Sequence, residues 1–346
     1  MAAVLLTLES AMKAIAYTRA GLPIDDPAAL IEIDLPLPEP GPRDLRVRVQ
    51  AVSVNPVDTK LRGSAQPEGP RVLGFDAAGI VDAVGAEVSL FKPGDAVWYA
   101  GAIDRPGSNA EFQLVDERIA GHRPGSLDAA QAAALPLTAI TAWELLFDRL
   151  RIAEGGGQGQ HLLVVGAAGG VGSILVQLAR RLTQLTVIGT ASRPETAQWV
   201  QQIGAHHVID HAKPLGEGLA ALGIAQVEHV ASLTHTDAHY ADIVAVLAPQ
   251  GQLALIDDPA QLDGVPLKRK SASLHWEFMF ARSLFHTPDM QAQHDLLERV
   301  AQLVDAGTLR TTLGEHHGRI SVETLRAAHA QVESGRTCGK IVLDGF

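Results

Sequence analysis

The chain has 346 residues, long enough for two domains, because single cores rarely grow beyond about 250–300 residues. With 47% hydrophobic and 19% charged residues it has the composition of a folded protein. Its formal net charge of −11 argues against a nucleic-acid surface and against anionic membranes, while a local basic pocket for phosphate stays open.

One cysteine, Cys338, rules out intrachain disulfides and a cysteine cluster for structural zinc. No apolar run reads as long enough to span a bilayer. The opening MAAVLLTLES lacks a basic n-region and a clear cleavage site, so residues 1–11 read as an extension and not a signal peptide. These features together lead us to expect a cytoplasmic protein.

A strand pattern begins at Met12, in MKAIAY, and the text stays β-rich to about Leu135, with short valine and isoleucine runs between prolines and glycines. DLPLPEPGP, residues 34–42, reads as an extended connector. LRVRVQAVSV (45–54), DAAGIVDAVG and GDAVWYA are strand candidates, and together they predict a partly closed, barrel-like β domain. The alanine-rich residues 128–150 predict a helix, an interruption at Pro136, and a longer helix, marking the crossing between domains.

Residues 161–180, HLLVVGAAGGVGSILVQLAR, are the clearest element. Leu162, Leu163, Val164 and Val165 are a continuous apolar run, as in a strand buried on both faces of a parallel sheet. The turn Gly166, Ala167, Ala168, Gly169, Gly170, Val171, Gly172 follows, and then Ile174, Leu175, Leu178 and Ala179 recur at helical spacing. Strand, glycine turn and helix open a dinucleotide-binding βαβ unit: the backbone turns tightly, and a pyrophosphate meets free N–H groups at the helix N-terminus. The alternative is an ordinary glycine-rich turn, but the flanks meet the structural condition on both sides.

Further strands are predicted at LTVIGTASR, HVID, VEHVASL, GQLALID and SASLHWEFMF (271–280), with a helix at PETAQWVQQIGA. That alternation indicates a doubly wound parallel sheet. MQAQHDLLERVAQLVDAG is an amphipathic helix with Gly307 as its stop.

VSVNPVDTKLR (52–62), GFDAAGIVDAVG (74–85), AAGGVGS (167–173), LPLTAITAWELL (135–146), HWEFMF (275–280) and the terminal GKIVL together resemble the medium-chain dehydrogenase/reductase superfamily. Within it they are similar to the quinone oxidoreductase branch, the zinc-type alcohol dehydrogenase-like proteins. The resemblance implies a GroES-like, partly open β-barrel catalytic domain at 12–136 and 284–346. It implies a Rossmann cofactor domain at 137–283, and a homodimer joined through the GQLALID and HWEFMF region.

Zinc enzymes of the superfamily carry Cys after the first long strand and a Gly-His-Glu; the matching positions here are Asn55 and Gly74-Phe75-Asp76. Asn and Phe do not replace a thiolate and an imidazole. The rival metal reading uses His206, His207 and His211, or His316 and His317. Without a metal, the resemblance implies hydride transfer from NADPH to a quinone or an α,β-unsaturated carbonyl. In that scheme Asn55 holds the acceptor carbonyl or the nicotinamide ribose, Lys60 faces developing charge, and Asp58 anchors the loop. Each also has a plain reading, a turn former in Asn55 and a solvated charge in Lys60.

An NAD enzyme usually places Asp or Glu at the end of the second cofactor-domain strand. This chain has Gly189, Thr190, Ala191, Ser192 and Arg193 there, and a hydroxyl with a guanidinium suits a 2′-phosphate, which favours NADPH. The alternative makes Arg193 an exposed charge with Ser192 as helix N-cap. By resemblance, His211 lies near the adenosine phosphate and Thr138 and Thr141 near the nicotinamide. Phe278 and Met279 border its carboxamide, and Lys340 reaches back toward the cleft. Two other functions stay open: a zinc-type alcohol or aldehyde dehydrogenase, and a non-catalytic NADPH-binding protein.

Overall fold

The computed structural model describes residues 11–346; the extension predicted over the opening residues, and its reading as no signal peptide, lie outside the described residues except at Ala11. Ala11 already belongs to the first strand, β1 (Ala11–Tyr17). The chain divides into two compact units. One takes the residues up to Leu137 and Phe280–Phe346; the other is Thr138–Met279. Against the sequence-based limits, the crossing falls one residue later and the return four residues earlier.

The first unit is built on β3 (Asp44–Val54), which pairs along its length with β5 (Ala77–Val84). Its opposite edge is shared: β7 (Phe112–Asp116) pairs with its first half and β16 (Lys340–Asp344) with its second. β6 (Ala96–Tyr99), β8 (Ala120–His122) and β15 (Leu313–Arg319) complete this seven-stranded sheet. β1 pairs with β2 (Ile31–Pro36) and β4 (Arg71–Val72) in a separate three-stranded sheet. The predicted connector at 34–42 therefore starts late, since its first three residues still pair with β1. This is the GroES-like, partly open barrel. In its returning C-terminal segment, helix Ala292–Asp305 buries Leu296, Leu297, Val300, Leu303 and Val304 as the spacing predicts, and Gly307 follows at φ 69°.

The second unit is a six-stranded parallel sheet in the order β11-β10-β9-β12-β13-β14. The strands are β9 (His161–Val165), β10 (Thr186–Thr190), β11 (His207–Ile209), β12 (Val227–Ser232), β13 (Leu247–Leu255) and β14 (Ser273–Trp276). This is the doubly wound Rossmann order, which reverses between β9 and β12 and so opens a crevice at the strands' carboxyl ends. Helix Gly170–Leu182 is buried at every residue from Ser173 to Ala179, more completely than a one-sided pattern predicts. β14 is shorter than SASLHWEFMF suggested: Ser271 turns at φ 49° and the strand ends at Trp276.

The alanine-rich stretch follows the expected helix, interruption at Pro136 and longer helix, but closes in an unexpected π turn. It runs as helix Ala129–Ala133, helix Pro136–Trp143 and a π-helical turn Glu144–Arg149. By length and composition Ala129–Arg149 passes as a membrane span, which corrects the reading that no apolar run is long enough. In this fold 78% of its most apolar window is buried inside the protein, the usual condition of a core helix.

Candidate active site

In the Rossmann unit, the turn after β9 is built by close approach. Gly166 sits at φ 83°, where a side chain is strained. A Cβ on Gly172 would lie 2.5 Å from Gly166 O and 2.6 Å from Ala167 Cα, so only glycine lets the first helical turn rest on the chain that leaves the strand. Gly169 is the N-cap, with extended backbone, and its N–H donates to Gly166 O at 3.2 Å. The N–H groups of Gly170, Val171 and Gly172 belong to the first turn and have no partner inside the helix. Backbone N–H groups at a helix N-terminus are the kind of donor a pyrophosphate binds, which makes this turn, with Ala168, the candidate cradle.

Thr190 closes β10 and ties the turn to its neighbours, an arrangement the sequence does not show. Its Oγ1 accepts from Gly166 N at 3.1 Å and meets His211 Nδ1 at 3.0 Å. His211 stacks edge-on against His239 with ring centroids 5.7 Å apart, and burial, then the charge of His239, pushes its imidazole down. Arg193, not Ser192, is the N-cap of helix Pro194–Gln202, and it makes no side-chain cap. Its guanidinium is partly exposed and pairs with Glu195 at 3.3 Å, while Ser192 is exposed beside it. Thr138 and Thr141 are buried, Met279 is buried and Phe278 is half exposed; Trp143 is half-buried against Phe147.

In the barrel unit, three polar side chains far apart in sequence converge. β16 runs antiparallel to β3 with Ile341 opposite Val54, so the next step places Lys340 opposite Asn55. Lys340 Nζ donates to Asp76 Oδ2 at 3.0 Å, to Val54 O at 3.2 Å and to Asn55 Oδ1. Asn55 Nδ2 donates to Asp76 Oδ2 at 2.8 Å and to Phe75 O at 3.3 Å. The N–H of Leu137 donates to Asp76 Oδ1 at 2.8 Å. Burial pushes the Asp76 carboxyl up, against the opposing pull of Lys340.

Asp58 sits one helical turn beyond Asn55, where its carboxylate accepts from Asn55 N at 2.8 Å and Gly74 N at 2.9 Å. It anchors the loop between β3 and helix Pro56–Ser64, as expected, and burial raises its pKa to about 7. Asn55 differs from expectation: both ends of its amide are committed inside the protein, which leaves no N–H for an acceptor carbonyl or a ribose. Lys60 is exposed on the same helix. Sequence reading missed Asp76 as the hub of this cluster, because its partners lie 21, 61 and 264 residues away.

The donor set does not fit zinc. Phe75 offers no ligand and packs edge-on against Phe280 at 5.4 Å, and Asn55 and Asp76 already face an ammonium. The histidine alternatives are engaged elsewhere. His206 Nδ1 accepts from Val187 N at 2.9 Å, His316 pairs with Asp344 at 3.0 Å and His317 with Glu315 at 3.4 Å. Among the described residues no three His, Cys, Asp or Glu side chains gather as a metal site.

A family model described as an alcohol dehydrogenase GroES-like domain matches residues 41–135, and one described as a zinc-binding dehydrogenase matches 203–343. A zinc-type alcohol dehydrogenase-like protein of Staphylococcus aureus is 40% identical over 89% of this chain and 92% of its own. A Rhizobium etli chain, named as a candidate zinc-dependent alcohol dehydrogenase, shares 56% identity at a TM-score of 0.94, over 97% of this chain and 99% of that one. A quinone oxidoreductase of Pseudomonas syringae superposes with a TM-score of 0.81 at 26% identity, over 96% and 99%.

Proposed function

The chain belongs to the medium-chain dehydrogenase/reductase family of oxidoreductases, whose members bind nicotinamide cofactors, and we propose that it reduces a quinone or an α,β-unsaturated carbonyl with NADPH and without a metal. The observation that carries this reading is the ammonium of Lys340, held between Asn55 and Asp76. A divalent ion would have to share the Asp76 carboxylate with a fixed like charge 3.0 Å from it. Without a Lewis acid to polarise an alcohol or aldehyde oxygen, the acceptor must be electron-poor on its own account. That requirement selects quinones and enones over simple carbonyls.

The chain's own residues supply binding and orientation. The turn Gly166, Ala168, Gly169, Gly170, Val171 and Gly172 holds the pyrophosphate. Ser192, Arg193 and His211 hold the 2′-phosphate, the guanidinium exchanging Glu195 for a dianion. Thr138, Phe278 and Met279 border the nicotinamide. When bound, the reduced nicotinamide supplies the hydride. Asn55, Asp76 and Lys340 form a rigid support, with Asn55 orienting the other two. Lys60, exposed on its helix, is the candidate to face charge developing on the acceptor.

The protein is further proposed to be a cytoplasmic homodimer with no nucleic-acid or membrane partner. Support for the dimer comes from β14, which pairs with β13 on one edge and carries Trp276 at 50% exposure, with Phe278 nearby at 47%. Purified protein tested with NADPH and NADH against quinones, enones and aldehydes, followed at the nicotinamide absorbance, decides the reading. Quinone or enone turnover with NADPH supports it. Alcohol dehydrogenase activity with a stoichiometric zinc ion refutes it, and tight NADPH binding without turnover moves the protein to the non-catalytic class.

A further inference from the structure

A second buried ionisable cluster lies in the Rossmann unit, apart from the cofactor turn. Glu144 opens the π-helical turn Glu144–Arg149 and is buried; Glu277 follows β14 and is buried too. Glu277 Oε2 accepts from Arg149 Nε at 2.7 Å, and its backbone N–H donates to Leu255 O at 2.9 Å, extending the sheet by one bond past the strand. The other oxygen, Oε1, has no donor, although the Glu144 carboxyl is in hydrogen-bonding contact with Glu277.

Two ionised carboxylates accept and cannot donate. Held together in a buried place with one guanidinium, they would repel each other and leave Oε1 unsatisfied. A single proton between them removes both problems. A π turn is also a poorer helix than an α turn and persists where tertiary bonds hold it. Here the helix widens so that Leu150 N reaches Leu145 O at 2.9 Å, and the first residue of the turn carries the bond to Glu277.

We propose that Glu144 and Glu277 share one proton and that this pair, anchored by Arg149, is a positioning device. It ties the π turn to the chain that leads directly into Phe278 and Met279. The effect on the nicotinamide rests on the cofactor reading above; the shared proton does not. Burial, followed by the like charge of Glu144, pushes the Glu277 carboxyl up to about 9, so the proton is retained at neutral pH. Arg149 is the cation facing Glu277, and the same guanidinium, with Arg151, acts on His275, two residues before Glu277. Burial and the two guanidiniums push the imidazole of His275 down, so it stays neutral throughout an alkaline titration.

The test uses the full chain and the variants Glu144→Gln and Glu144→Ala. In Glu144→Gln an amide N–H replaces the shared proton at every pH. A carboxyl whose folded pKa is raised loses its stabilising effect as pH climbs from about 4.5 toward 9. Between pH 6 and pH 10 the Tm of the wild type should therefore fall relative to Glu144→Gln by roughly 3 °C or more. Glu144→Ala should melt below both at each pH. A wild-type-minus-Gln difference that is flat with pH, or a Gln variant that behaves like the Ala variant, overturns the shared proton.

The second measurement is NADPH affinity by fluorescence titration. At pH 10 the wild-type Kd should exceed that of Glu144→Gln by about threefold or more, having matched it at pH 7. Identical Kd curves overturn the positioning role. Wild type that fails to bind NADPH at pH 7 overturns the cofactor reading and the positioning role with it, while the melting curves still decide the proton.

Discussion

Replacing Lys340 by methionine puts the barrel network to its hardest test. Methionine keeps most of the stem volume and removes the ammonium, with its bonds to Asp76, Val54 and Asn55. Asp76, fully buried, keeps only its donors from Asn55 and Leu137, both at 2.8 Å. Stranding one member of a buried ion pair costs about 3–5 kcal/mol. At about 2–4 °C per kcal/mol, the Tm at pH 8 should drop on the order of 10 °C.

The loss should depend on pH in one direction. Burial already raises the Asp76 carboxyl and Lys340 opposes that rise, so without Lys340 the folded-state pKa climbs further. A group with a raised folded pKa stabilises the protein below its unfolded value, and the benefit disappears as pH rises through the folded pKa. The variant should therefore approach wild type near pH 5 and fall furthest behind at pH 8. Adding Asp76→Asn should recover most of the deficit at pH 8, because no buried charge is then left alone. Melting by circular dichroism at the two pH values measures all three proteins. A deficit equal at both pH values, or a double variant no better than the single, refutes an ion pair as the support of this site.

Three further outcomes follow from the same geometry. Gly172→Ala drives a methyl into the backbone of Gly166 and Ala167 and should cost about 1–3 kcal/mol with loss of NADPH binding. Gly169→Ala, whose Cβ would meet nothing closer than 3.6 Å, should melt near wild type, and equal damage from both changes would remove the steric argument. Arg193→Ala should weaken NADPH by roughly tenfold while leaving NADH unchanged, since a charge-assisted bond to phosphate is worth about 1.5–3 kcal/mol; parallel losses for the two cofactors would count against the 2′-phosphate role. His329 is wholly buried with neither ring nitrogen bonded, and burial, then Arg62, pushes it down to about 3. A depressed imidazole destabilises the fold as pH falls from about 6.5 toward that value, so His329→Leu should gain Tm on wild type between pH 7 and pH 4. A gap that stays constant over that interval would deny the burial penalty.

What could be read before folding divides by sequence distance. The cofactor turn is legible because strand, glycines and helix are contiguous, and each residue's task there is set by neighbours a few positions away. Even so, Gly172 shows only that a small residue is wanted, and the carbonyl it must clear belongs to Gly166. HWEFMF reads as one strand because its apolar content continues past Trp276; the strand stops there, and the contact of the Glu277 carboxylate with Arg149 just beyond it has no local pattern. The π turn leaves no mark in composition at all, since Glu144–Arg149 has the residues of an ordinary helix.

Asn55 separates residue type from role most sharply. Its place at the end of a long strand, before Pro56 and three residues ahead of Asp58, identifies a polar capping position, and helix Pro56–Ser64 begins there. Whether its amide faces a substrate or the protein depends on Lys340, 285 residues further along and brought opposite by the β3–β16 register. A lysine is ordinarily a surface residue, and only that strand pairing buries it against Asp76. The Asn55–Asp76–Lys340 cluster thus arises from a pairing between chain segments, and the ammonium within it becomes visible only once the strands are joined.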